Sequence, residues 1–174
     1  MTKTEENLKA SFAGESQARN KYTYFAKVAK TQGFYYIAKI FEETAENEVQ
    51  HAKEEFKLLK GIGDTATNLK EAIKGEYFER DEMYPNMKKD AEEEGDKVAS
   101  KLFGDIAEVE KHHEERYKKL LEMVENGTVY KREEEIRWKC SKCGHIHKGM
   151  EPPKACPVCK HATEYFEPSD VCGL

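Results

Sequence analysis

The sequence predicts an all-α four-helix bundle followed by a small metal-binding unit of strands and loops, and three observations carry that prediction. Four long segments repeat apolar residues at the spacing of an amphipathic helix. Two of those segments each contain a Glu-x-x-His pair, Glu48–His51 and Glu110–His113. Near the C-terminal end, Cys140-x-x-Cys143 and Cys156-x-x-Cys159 are separated by twelve residues.

The first helix is expected over residues 4–31, with Thr4 as N-cap and a stripe of Leu8, Phe12, Glu15, Arg19, Tyr22, Ala26 and Ala29. Gly33 breaks it, and Phe34 opens a second helix whose inner face reads Ile37, Phe41, Thr44, Glu48, His51 and Leu58. Gly61-Ile62-Gly63-Asp64 ends that helix. A third begins near Asn68, with Ile73, Glu76, Arg80, Met83 and Met87 at helical spacing and Gly95 at its close. Pro85 lies inside it and predicts a kink or a loosened turn, because proline lacks the N–H and its ring crowds the preceding turn. The fourth runs from about Asp96 to Glu125 with Leu102, Ile106, Val109, Glu110, His113, Tyr117, Leu120 and Val124 inward, and Asn126-Gly127 stops it. Composition shifts after Gly127 to prolines, glycines and cysteines, which divides the chain into domains of residues 1–130 and 131–174.

Of the 174 residues, 36% are charged and the net charge is −5, with no long basic stripe to meet phosphates, so nucleic acid is not an expected partner. Apolar runs are only a few residues long, which excludes a membrane-spanning helix as an expectation. The segment Met1-Thr2-Lys3-Thr4-Glu5-Glu6 lacks the apolar core of an export signal. Paired thiols without such a signal predict a reducing cytoplasm and metal thiolates instead of disulfides.

Residues three apart on a helix share a face, so each Glu-x-x-His pair can offer a carboxylate and an imidazole to one point. Two such pairs plus one Glu from each of two other helices make the di-iron or di-manganese site of ferritin-like bundles. Glu15 and Glu76 supply the two additional glutamates here. A carboxylate on a buried stripe is costly unless paired or ligated, and four of them on apolar faces argue for ligation. Oxygen and imidazole donors suit iron or manganese. Glu79, three residues after Glu76, takes the slot that holds histidine in the other half, although spacing alone is equally consistent with a solvated glutamate. His112 is one position off the ligand face, and Glu114 and Glu115 are expected to point outward.

Four thiolates at this spacing can converge as a tetrahedron, which zinc and iron both accept. The C-terminal unit is too small to hold together without such a staple. Gly144, directly after Cys143, suits a tight knuckle with backbone N–H groups aimed at sulfur. Lys160 takes the matching place after Cys159, where a left-handed conformation costs a non-glycine residue about 1 kcal/mol. His145, His147 and His161 flank the cysteines without being needed as ligands, and Cys172 is expected to be a spare surface thiol.

Several stretches resemble the rubrerythrin family across nearly the whole chain: Ala13-Gly14-Glu15-Ser16-Gln17-Ala18-Arg19-Asn20, the run from Glu42 to His51, Gly75-Glu76-Tyr77-Phe78-Glu79, Glu82-Met83-Tyr84-Pro85, the pair Glu110 and His113, and the rubredoxin-like cysteines. The resemblance implies a ferritin-like di-iron bundle joined to a rubredoxin-like Fe(Cys)4 domain. The implied activity is that of a non-haem di-iron peroxidase that reduces hydrogen peroxide to water under oxidative stress. Electrons would arrive from a rubredoxin or an NAD(P)H-dependent reductase through the four-cysteine iron. Glu15, Glu48, Glu76, Glu110 and His113 match the family's ligands, and His51 and Glu79 match its exchanging pair. Tyr22 and Tyr84 match tyrosines that hydrogen-bond the ligand carboxylates. Lys160 departs from the usual glycine, which puts the local knuckle in question.

Two rival readings remain open at the level of sequence. One is a ferritin-like ferroxidase, against which the fused four-cysteine unit argues, since iron storage needs no electron relay. The other is a bundle with a structural zinc ribbon. Loop length adds an expectation about assembly. Helices two and three run parallel in a ferritin-like bundle, so their connection must span roughly 30 Å, whereas residues 61–67 reach at most about 29 Å when fully stretched. A homodimer with exchanged helix pairs is therefore expected.

Overall fold

The computed structural model describes residues 1–169, so the expectation for Cys172 lies outside the described residues. The chain divides into two compact units, Met1–Gly63 and the remainder from Asp64.

The first unit is a helical hairpin of α1 (Lys3–Thr31) and α2 (Tyr35–Leu58). Thr2, and not Thr4, caps α1: its hydroxyl accepts from the Glu5 N–H while the Glu5 carboxylate accepts from the Thr2 N–H, a reciprocal capping box. The seam is built from alanine, with Ala26 and Ala29 of α1 and Ala38, Ala45 and Ala52 of α2 buried. Small side chains let the two backbones approach closely, and larger rings fill the flanks: Phe12 stacks on Phe56 at 4.8 Å and Tyr22 on Phe41 at 6.2 Å. The expected stripe is corrected here, because Arg19, Ile37 and Leu58 are exposed and the buried positions of α2 are its alanines. After α2 the chain turns tightly over Phe56, where a Cβ on Gly61 would lie 2.0 Å from the ring.

The second unit starts with α3 (Thr65–Phe78), capped by the Asp64 carboxylate on the Thr67 N–H at 2.8 Å, so the helix begins three residues before the expected Asn68. A π turn over Glu79–Met83 leads into α4 (Tyr84–Glu94). The Tyr84 N–H reaches back five residues to the Glu79 carbonyl. Pro85 explains the wider turn: its ring would collide with a carbonyl four residues back, and one extra residue removes the collision. The loosening expected from Pro85 thus takes the form of a π turn between α3 and α4. Gly95 closes α4 in the left-handed region at φ 77°. α5 (Lys97–Glu125) follows at once, and packs against both α3 and α4.

Beyond α5 come β1 (Ile136–Cys140), β2 (Ile146–Gly149) and β3 (Phe166–Pro168), an antiparallel sheet in the order β2-β1-β3. Trp138, Cys140, Cys156 and Phe166 form its buried core, with Ile136 and Cys159 packed around them. The Trp138 indole N–H donates to the Gly149 carbonyl at 3.0 Å, and the Arg132 guanidinium lies 5.2 Å from the Trp138 ring centre. Arg132 also donates to the carbonyls of Thr128 and Val129, in the turn that follows α5. No helix among the described residues is long and apolar enough to cross a membrane.

The Asp96 carboxylate accepts from the Val98 and Ala99 N–H groups at 3.0 and 2.9 Å, closing the start of α5. Asp96→Ala is expected to lower unfolding stability by about 1 kcal/mol. A fall in the urea midpoint with an unchanged denaturant slope is the expected readout.

Candidate metal centres

Each unit holds one carboxylate–histidine triad, and each triad is built the same way. In the first, Glu15 comes from α1, and Glu48 and His51 sit one turn apart on α2. The His51 Nδ1 lies 2.9 Å from a Glu48 oxygen and 3.8 Å from a Glu15 oxygen. In the second, Glu76 comes from α3, and Glu110 and His113 from α5. The His113 Nδ1 lies 2.7 Å from Glu110 and 3.4 Å from Glu76. Within each triad the three donor atoms all fall within 4.8 Å of one another. The structure therefore assembles six of the expected bundle residues into two matched sets.

Electrostatics in both sets asks for a cation. The Glu15 carboxyl is held above the ordinary carboxylate range by its hydrogen bond with Glu48, then by burial and by the charge of that neighbour. Burial raises Glu76 in the same sense, reinforced by its hydrogen bond with Glu110. Two carboxylates sharing one site cannot both ionise cheaply, and one imidazole offers at most a single positive charge against two negative ones. A metal ion bound by two carboxylates and an imidazole meets that demand, and the donor set of oxygen and nitrogen without sulfur fits iron or manganese.

Glu79 stands at the first residue of the π turn. Burial raises its carboxyl, and the Glu110 charge adds to the effect while His113 opposes it. The Tyr84 phenol is raised by burial and by the charges of Glu79, Glu110 and Glu76, which places it beside the second triad. Tyr22 packs against Phe25 and Phe41 in the first unit. Among the described residues, neither phenol hydrogen-bonds a carboxylate.

One expectation fails outright. Glu114 does not continue outward; it is 3% exposed, and its two oxygens accept from Arg80 Nε and Lys118 Nζ, each at 2.6 Å. Burial would raise this carboxyl, but the hydrogen bonds from Lys118 and Arg80 outweigh it and hold the group below the ordinary range. A signal was present in the sequence: Arg80 follows Glu76 by four residues, and Glu114 follows Glu110 by four, so both lie one turn beyond a ligand on the same face. His112 and Glu115 are exposed, as expected.

The four-cysteine unit forms from two knuckles of matching geometry. Cys140 N–H donates to the His145 carbonyl and Cys156 N–H to that of His161, both at 2.8 Å. Gly144 N–H returns to the Cys140 carbonyl at 2.8 Å, and Lys160 N–H to that of Cys156 at 2.9 Å. Sulfur pairs Cys140–Cys159 and Cys143–Cys156 are each 3.6 Å apart. A tetrahedron with metal–sulfur bonds of about 2.3 Å has edges of about 3.8 Å, so the four thiols are spaced to receive a metal. Burial would raise Cys156, but N–H groups of Cys159 and Val158 aimed at its sulfur bring it down to about 6. The His145 N–H would lower Cys143, but burial and the neighbouring thiols outweigh that hydrogen bond and push it up to about 12. The three flanking histidines are not part of this cluster.

The sequence model described as "Rubrerythrin" matches residues 6–121, and that described as "Rubrerythrin, rubredoxin-like domain" matches residues 138–167. The rubrerythrin of Porphyromonas gingivalis is 47% identical over 96% of this chain and 90% of its own length. A putative rubrerythrin of Methanocaldococcus jannaschii is 45% identical over 96% of this chain and 93% of its own. Among solved structures, a partially reduced state of nigerythrin shares 33% identity over 97% of this chain and 87% of its own, with a TM-score of 0.38.

Gly144 and Lys160 occupy equivalent left-handed positions at φ 77° and 62°. Lys160→Gly is expected to remove the strain and stabilise the knuckle by up to about 1 kcal/mol. Slower release of the thiolate-bound metal to a chelator is the measurement.

Proposed function

The chain belongs to the rubrerythrin family, and from that premise we propose that it is a peroxidase that reduces hydrogen peroxide to water in defence against oxidative stress in the cytoplasm. Membership brings a carboxylate–histidine di-iron site and a four-cysteine rubredoxin-like iron site. The observation that carries the reading is the pairing, on one polypeptide, of two like-built oxygen–nitrogen triads with a tetrathiolate knuckle. A ferroxidase that only stores iron has no use for the second centre, and a structural zinc ribbon has no use for the first.

Glu15, Glu48, His51, Glu76, Glu79, Glu110 and His113 are the proposed di-iron ligands, and Cys140, Cys143, Cys156 and Cys159 those of the single iron. Reducing one peroxide to two waters consumes two electrons and two protons, and a di-iron centre held by these residues would supply the electrons. His51 and Glu79 would then alternate as ligands, since neutral imidazole suits a less charged metal and a carboxylate compensates added positive charge. The partial burial of Glu79 beside Glu110 supports the role, since an anion there needs positive charge close by. Tyr22 and Tyr84 are read as phenol donors that orient the ligand carboxylates. Residues 1–130 form the catalytic bundle, and residues 131–174 receive electrons from a rubredoxin or an NAD(P)H-dependent reductase.

The same reading includes a homodimer with exchanged helix pairs. Glu48 lies ten residues before the end of α2 and Glu76 eleven residues after the start of α3, rises of about 15 and 16 Å. In a bundle where these helices run parallel, the connection from Leu58 to Thr65 must descend about 31 Å, yet seven Cα steps reach only about 25 Å. The connection is not stretched either, because the Gly61 N–H turns back to the Phe56 carbonyl at 2.9 Å. Exposed apolar residues on each unit, Ile37 and Ile40 on α2, Leu102 and Val109 on α5, offer the faces that such an exchange would cover.

Rapid mixing of the reduced protein with peroxide tests the activity: both centres are expected to reoxidise, the thiolate iron turning red. A chain ending at residue 135 is expected to bind two irons and to turn over poorly with a rubredoxin donor. Full turnover by that chain with a physiological donor would end the relay reading.

The exchange is tested by refolding Glu15→Ala chains together with Glu110→Ala chains. Exchanged pairs give a heterodimer with one intact and one doubly damaged site, so activity absent from either parent is expected to return. Heterodimers that form without any recovered activity exclude the exchange.

A further inference from the structure

The two triads are alike, but what lies one turn beyond them is not. Past the second triad, the half-buried Arg80 of the π turn pairs with the buried Glu114 of α5, the Arg80 Nε lying 2.6 Å from a Glu114 oxygen. Glu114 directly follows His113 along α5, and Arg80 directly follows Glu79 in the π turn. The pair therefore ties the backbone carrying one ligand to the backbone carrying the other. Two more contacts fix the turn from its outer side: the Arg80 guanidinium sits 5.1 Å from the Tyr77 ring centre, and the Tyr77 phenol donates to Asp81 at 3.2 Å. Lys118 takes the remaining Glu114 oxygen at 2.6 Å, so the carboxylate has no free side on which to swing.

At the equivalent positions of the first triad, the residue four after Glu15 is Arg19, and the residue after His51 is Ala52. Arg19 is exposed and donates to its neighbour Asn20, while Ala52 offers nothing to bind it. Together with Glu48, Lys53 and Phe56, they line an open cavity of about 360 Å³. One triad is thus braced and the other is not.

We propose that Arg80 is a positioning residue: through its bond to the buried Glu114 carboxylate it locks the π turn to α5 and keeps Glu79 aimed at the Glu110–His113 triad. This deepens the di-iron reading and rests on it. A π turn is a less regular helix segment whose hydrogen bonds are weaker than those of the α-helix around it. Without an external tie, the turn would fluctuate, and Glu79 would spend less time in a position to ligate. A carboxylate that must reach a metal in one oxidation state and leave it in another needs a fixed backbone beneath it, so that the exchange is a side-chain motion alone.

Removing Arg80 by itself leaves a buried carboxylate short of a partner, and such losses are strongly destabilising, whereas replacing a whole buried pair by apolar side chains is often neutral. The test variant is accordingly Arg80→Met combined with Glu114→Leu, with Arg80→Lys as the conservative second variant. In the full-length metal-free protein, amide exchange at residues 82–84 is expected to rise roughly tenfold in the combined variant, as local opening of the turn becomes easier, and to rise less in Arg80→Lys. In the iron-loaded protein, reoxidation by peroxide is expected to slow to the level of Glu79→Ala, and adding Glu79→Ala to the combined variant is expected to slow it no further. Unchanged exchange at residues 82–84 in whichever variant folds overturns the proposal, as does slowing that multiplies with that of Glu79→Ala. If the unaltered protein proves inert to peroxide, the peroxidase reading fails, and amide exchange in the metal-free chain still decides the role of Arg80.

Discussion

Enforced closeness of like charges is the constraint on which the helical part of this molecule depends. Glu15 with Glu48, and Glu76 with Glu110, are each drawn onto one histidine. Two carboxylates sharing one site cannot both ionise cheaply, and both Glu15 and Glu76 are held above the ordinary carboxylate range. A cation or a bound proton between the oxygens relieves that repulsion. Helix geometry supplies the rest: Glu and His at i and i+3 arrive together without any loop to order them, and the third ligand needs only one neighbouring helix at the same height.

In the first unit the neighbouring helix packs through alanine. Ala26, Ala29, Ala38, Ala45 and Ala52 make a narrow seam that lets α1 and α2 lie close enough for carboxylates on both to reach one point. Such a seam buries little apolar area, and the larger side chains are left on the outside; Tyr36 is 77% exposed. In the second unit the buried helical positions include Ala91, Ser100 and Glu114. An alanine seam beside one triad and the Arg80–Glu114 ion pair beside the other leave the two triads with different surroundings.

The C-terminal unit obeys another economy. Three short strands and one tryptophan cannot bury enough surface to order the chain alone, so the cysteines act as core residues and ligands at once: Cys140 and Cys156 are fully buried beside Trp138. The knuckle geometry is so demanding that Lys160 is driven into the left-handed region at φ 62°, a position where Gly144 sits at no steric cost. Arg132, in the segment between α5 and β1, bonds the Thr128 carbonyl on one side and faces the Trp138 ring on the other.

Helices, stops and the residues that converge into the carboxylate–histidine and cysteine clusters were legible in the sequence because each leaves a local mark. Glu-x-x-His and Cys-x-x-Cys are periodicities of one chain segment, Gly95 and Gly127 mark left-handed helix ends, and Pro85 announced an irregular turn. Local rules missed whatever a second element decides. Spacing alone pointed Arg19, Ile37 and Leu58 inward, but the alanine seam rotated the buried face away from them. Spacing also sent Glu114 outward, since an acidic run reads as a solvated face; only the arrival of Arg80 from the π turn, 34 residues earlier, gives that carboxylate a partner and makes its burial affordable. The sequence by itself determined which atoms can bind metal, because ligand chemistry belongs to residue type and helical repeat. Tertiary structure decided which of the remaining charges are buried, because the cost of burying a charge depends on a partner that can lie anywhere in the chain.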